Sequence, residues 1–104
     1  MTNDSLKYRL KEDFGVELDI SGGNGKSLAD PIIINQSIRD CVGTEYYIVK
    51  LIFQAMGKEW KTVKQTIVTA ADKKIDQLTI EVTDVDGKKH ETDFYFDITK
   101  HIKN

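Results

Sequence analysis

From Thr62 to Asp97 apolar and polar residues alternate, and the parity of that alternation leaves room for one hairpin register. Strands are expected at about 62–69, 75–83 and 90–97, joined as a meander. The second presents Leu78, Ile80 and Val82 to one side, and the third presents Phe94, Phe96 and Ile98. A two-residue turn at Asp86-Gly87 would set Ile80 against Asp93 and Val82 against Glu91, placing acids inside. A three-residue loop, Val85-Asp86-Gly87, sets Leu78 against Phe94 and puts Gly87 at the left-handed position such loops need. By the same parity, a loop of residues 71–74 sets Val63, Gln65 and Ile67 opposite Val82, Ile80 and Leu78. Gln65 then faces inward beside Ile80, where it is expected to bond backbone groups of the glycine-rich segment or the chain near Asp30.

Upstream the period changes. Val42, Tyr46, Val49, Phe53 and Met56 recur at steps of four and three and make one apolar helical stripe, widened by Ile48, Leu51 and Ile52. Ser37 or Asp40 suits the start of this helix and Gly57 suits its left-handed end. Val16, Leu18 and Ile20 alternate with acids and read as a short strand. Ser21-Gly-Gly-Asn-Gly25 reads as a loop, and Asp30-Pro31 restarts an extended chain that continues as a buried strand, Ile32 to Ile34. Residues 1–11 are polar and expected to be loosely held; Leu6 and Leu10 have helical spacing while Leu6, Tyr8 and Leu10 also alternate, so both forms stay open. The expected fold is α+β: an antiparallel sheet with one main helix across one face, in the order β-β-α-β-β-β plus a short C-terminal helical turn.

With 104 residues the chain suits one domain, spanning 1–104. Fifteen Lys or Arg against 17 Asp or Glu leave a net charge of -2, without the basic footprint of a non-specific nucleic-acid binder. Local lysine clusters, such as Lys88 and Lys89, have acids beside them. Cys41 is the one cysteine, so no intramolecular disulfide forms and a reducing cytoplasm fits; a buried or half-buried side chain is its ordinary role. The first residues carry an acid and no apolar run, unlike a secretory signal, and Ile32-Ile33-Ile34 is too short to cross a bilayer. No membrane and no nucleic-acid partner are expected.

Gly25-Lys26-Ser27 looks like the end of a phosphate-binding P-loop, but Ile20 stands where the first glycine belongs and Asp30-Pro31 breaks the helix that should follow. A weaker reading keeps Gly22, Gly23, Gly25, Lys26 and Ser27 as an anion-holding loop. Asp84-Val-Asp86-Gly87 resembles a calcium-loop fragment, yet strands flank it and it reads as a turn. Cys41, His90 and His101 have no spacing that suggests a metal site or a nucleophile and base. No cofactor, no metal ligand and no catalytic residue is therefore assigned, which leaves enzymatic activity open.

Gly22-Gly-Asn-Gly-Lys-Ser27, Pro31-Ile-Ile-Ile34, Glu45-Tyr46, Trp60 with Gln65, and Phe94-Tyr-Phe-Asp-Ile-Thr99 together resemble a group of short uncharacterised bacterial proteins with a GGxGxS segment and a C-terminal FYFDIT-like strand. The resemblance runs from about Asp19 to Thr99 and implies a bacterial, cytoplasmic, single-domain protein, with no activity attached. The order of helix, three strands and terminal helix is also similar to double-stranded-RNA-binding domains, in topology alone: the segment from Thr99 to Lys103 is too short for their long basic second helix.

The function expected from these residues is a small non-enzymatic interaction protein that meets a protein partner or its own copies. Its partner surface would be the sheet face away from the helix, with Glu81, Glu91, Asp93, Tyr95 and Asp97. There Glu81 stands opposite Glu91, and Lys64 opposite Glu81 on the other side. The alternative is a ligand- or anion-binding domain, enzymatic or not, using residues Gly22 to Ser27.

Overall fold

The computed structural model describes residues 6–35 and 40–101. In chain order these form helix α1 (Leu6–Phe14), strands β1 (Ile20–Gly22) and β2 (Ile32–Ile34), and helix α2 (Cys41–Met56). Strands β3 (Glu59–Ala70), β4 (Lys73–Thr83) and β5 (Lys89–Asp97) follow, then a 3-10 turn at Thr99–His101. The fold is α+β, as the periodicities require, but two expectations change. A helix precedes the first strand, and the sheet is mixed rather than antiparallel.

The five strands lie in the order β1-β2-β5-β4-β3, with β2 and β5 parallel. Connectivity explains the parallel pair. The crossover through α2 delivers β3 in the direction of β2, and two tight turns reverse the chain twice, so β5 again runs with β2 and settles beside it.

The meander carries the longest ladders. Leu78 pairs with Phe94 and Glu81 with Glu91, and Gly87 has φ 85, which is the three-residue-loop register. The β3–β4 register differs from expectation. Ala70 pairs with Lys73 across a two-residue turn in which Ala71 and Asp72 have φ 47 and 67. Two successive left-handed residues match the twist of paired strands, and without a glycine this turn has no sequence signature. A bulge between Thr62 and Lys64 then resets the ladder, so Trp60 faces Val82, Thr62 faces Ile80 and Gln65 faces Leu78. Lys61, not Lys64, stands opposite Glu81.

Helix α2 starts on Asp40, whose Oδ1 accepts from Gly43 N–H at 2.9 Å, and ends on Gly57 at φ 66. Ser37, the other candidate cap, and the side chain of Cys41 lie outside the described residues. Phe53 meets Phe94 edge-on at 5.9 Å and stacks on Trp60 at 6.3 Å, tying α2 to β5 and β3. In α1, Leu6, Leu10 and Phe14 fall one turn apart on one side, and Leu10 is buried in the same core as α2. Residues 6–11 thus lie in helix α1, and residues 1–5, the rest of the segment expected to be loosely held, lie outside the described residues. Val16 and Leu18 pack on the core outside any strand; the first strand begins only at Ile20.

Candidate functional site

Polar groups inside an apolar core have a chemical or structural reason, because an unpartnered buried group costs about 1–3 kcal/mol. Among the described residues two acids are fully buried, and a third, Asp97, is 6 % exposed with hydrogen-bond partners of its own. Glu45 sits on the inward stripe of α2 and Asp76 on the inward face of β4, and both are 0 % exposed. Gln65 Nε2 donates to Asp76 Oδ2 at 2.6 Å, and Tyr46 Oη donates to Gln65 Oε1 at 3.4 Å. With both carboxyls ionised, Glu45 Oε1 and Oε2 and Asp76 Oδ1 would face no donor. Burial, then a hydrogen bond to Asp76 and its charge, push the Glu45 carboxyl up to about 10. Glu45 therefore keeps its proton at neutral pH and presents an O–H to Asp76. Two carboxyls sharing a proton can serve acid–base chemistry where substrate reaches them, but these two are sealed in the core.

This pair was missed in the sequence although the signal was there. Glu45 interrupts the apolar stripe between Val42 and Val49, and Asp76 shares the parity of Leu78, Ile80 and Val82. Gln65 does bond inward, but to Asp76 rather than to the glycine-rich loop or to Asp30.

The glycine-rich segment is a tight β1–β2 connection whose N–H groups are taken up internally. Gly23 and Gly25 N–H donate to Pro31 and Asp30 carbonyls at 2.9 Å, Asn24 N–H to Asp30 Oδ2 at 3.4 Å, and Lys26 N–H to Asn24 Oδ1 at 2.9 Å. Gly25 is also a steric necessity: at φ +76, a Cβ there would lie 2.7 Å from Ile32 Cδ1, and its carbonyl accepts from Tyr95 N–H at 2.8 Å. Four of the N–H groups an anion would need are thus engaged, and Ser27 contributes its carbonyl to Asp30 N–H. Lys26 instead reaches back over the sheet, with Nζ 4.2 Å from the Phe94 ring centroid.

The candidate acidic face is partly neutralised. Glu81 pairs with Lys61 at 3.5 Å, and Thr79 Oγ1 donates to Asp93 Oδ1 at 2.7 Å. Glu91 is exposed and Tyr95 half-buried. Asp97 departs from the expected surface: it is 6 % exposed, and its Oδ1 accepts from Thr99 N–H and Oγ1. Its carboxylate holds the chain at the end of β5 rather than facing a partner.

The remaining open element is β3. It forms one edge of the sheet along all twelve of its residues, whereas β1 at the other edge has three. Thr66, Ile67, Val68, Thr69 and Ala70 carry no charge, and Ile67 is 50 % exposed.

Among the described residues no three His, Cys, Asp or Glu side chains come together as a metal site, and no helix is long and apolar enough to cross a membrane. Comparisons with protein-family models, with curated proteins and with solved structures give no match.

Proposed function

We propose that this chain is a small non-enzymatic protein-interaction module that docks through the free edge of β3. One observation carries the reading: the edge is long, and its 66–70 half lacks the charges that usually guard an exposed strand. Lys61 and Lys64 guard only the other half, next to the bulge. An unguarded edge offers backbone N–H and C=O groups to an added strand.

The occupant that fits is a second copy. Antiparallel pairing of two β3 strands centred on Val68 brings the uncharged stretches together, Thr66 opposite Ala70, and leaves each Lys64 next to the turn that holds Asp72 of the other copy. Such contact is weak and concentration-dependent, because pairing along a single strand edge buries little surface. The reading includes a bacterial cytoplasmic setting and no nucleic-acid partner, in line with the net charge of -2.

Sedimentation velocity over a concentration series tests it. The wild-type chain should pass from monomer to dimer, Lys64→Glu should remain monomeric, and Lys64→Glu with Asp72→Lys should restore the dimer. A chain that stays monomeric to millimolar concentration, or a Lys64→Glu variant that dimerises like wild type, would reject the edge as the docking element.

A further inference from the structure

A cleft of about 570 Å³ lies between α1 and α2, with Phe94 of β5 at its floor. Leu10 and Phe14 wall it on one side, and Ile52 and Met56 on the other. The size lies within the range of about 300–1,000 Å³ usual for small-molecule sites, and apolar walls with a few polar groups at the rim are the usual lining. Met56 is 51 % exposed, so the mouth is open and apolar.

The charge at the rim is unbalanced. Arg9 and Lys26 stand there against one acid, Asp13, and neither cation makes an ion pair among the described residues. Lys26 is the more telling of the two. The glycine-rich turn carries its side chain over Phe94, where partial burial pushes the ammonium below its usual pKa and an aromatic face is its neighbour. A cation placed against an apolar wall is matched by an anion joined to an apolar body.

We propose that this cleft binds a free small amphiphile, a carboxylate or phosphate head on an aliphatic chain, with the head at Lys26 and the chain between Leu10, Phe14, Ile52 and Met56. The site is independent of the β3 edge. It uses Lys26 through its side chain, not the backbone cradle that the glycine-rich sequence suggested.

The test is a backbone-amide NMR titration of the full chain with decanoate and decyl phosphate, with decanol and decyltrimethylammonium as neutral and cationic controls. At least one anion should give saturable shifts at Leu10, Lys26 and Ile52 below its micelle concentration, and the controls should bind about tenfold more weakly or less. Comparison of the two anions identifies the head. Lys26→Met should weaken the anion by about tenfold and leave decanol unchanged. Met56→Glu, at the exposed rim, should weaken the anion without altering the fold. Equal binding of decanol, shifts confined to other surfaces, an unaffected Lys26→Met variant, or binding to phosphatidylglycerol vesicles without binding of either free anion would overturn the proposal.

Discussion

Glu45 of α2 and Asp76 of β4 set two carboxyl groups against each other inside the protein, both fully buried, with Gln65 of the edge strand bonded to one of them. An ionised pair there would leave three oxygens without donors, so the proton on Glu45 is part of the folded structure.

That proton makes stability depend on pH. The Glu45 carboxyl rises from 4.5 to about 10 on folding, so the folded state holds a proton that the unfolded state releases. The resulting stability is full below about pH 4.5 and is lost as pH rises toward about 10, by at most about 1.4 kcal/mol per pH unit. Urea midpoints measured between about pH 5 and pH 9 should fall with pH in the wild type. Glu45→Gln keeps a donor without the titration and should flatten the profile. Parallel profiles for the two proteins would show that Glu45 is not the group responsible.

Phe94 joins the two layers: it is buried, meets Phe53 edge-on at 5.9 Å and lies under Lys26. Phe94→Ala should cost about 3–5 kcal/mol, a large share of an ordinary domain's stability. A chemical-denaturation midpoint close to wild type would contradict the pairing of Leu78 with Phe94.

Two left-handed glycines should respond differently to alanine. At Gly57 a Cβ meets nothing within 4 Å, so the change should cost about 1 kcal/mol from backbone conformation alone. At Gly25 the same backbone strain is joined by a 2.7 Å approach to Ile32 Cδ1 and crowding at the Tyr95 carbonyl. Gly25→Ala should therefore cost clearly more, about 2 kcal/mol or above. Equal losses in thermal or urea unfolding would mean that the loop yields to the added methyl.

Glu91 faces Glu81 across the ladder, and Lys61 relieves the repulsion from the other side at 3.5 Å. Glu91→Lys should stabilise the protein by up to about 1 kcal/mol, with the gain shrinking as salt is raised. A loss of stability at low salt would show that Glu91 serves another contact.

Much of the fold could be read from local pattern. Val49 and Phe53 of the expected α2 stripe are buried, while its ends Val42 and Met56 are exposed. The helix and the parity of Leu78, Ile80, Val82, Phe94 and Phe96 follow periods of 3.6 and two residues, and Gly57 and Gly87 mark the left-handed ends. The turn at Ala71-Asp72 escaped because neither residue advertises a left-handed backbone, and the four-residue loop read in its place shifted β3. The polar residues at inward positions, Glu45 and Asp76, were visible one at a time in the sequence. Their meeting was not, because it depends on how far α2 slides along β4 before Phe53 reaches Phe94 and Trp60.

The sequence by itself determined the helix α2, the β4–β5 hairpin and the need for a tight glycine turn, since each follows from residues close in the chain. Tertiary structure alone decided the parallel pairing of β2 with β5, the burial of Asp97, the shared proton of Glu45 and the place of Lys26 over Phe94. Each of these joins residues far apart in sequence. Such contacts form only when the whole core closes and excludes water from groups that local periodicity leaves unconstrained.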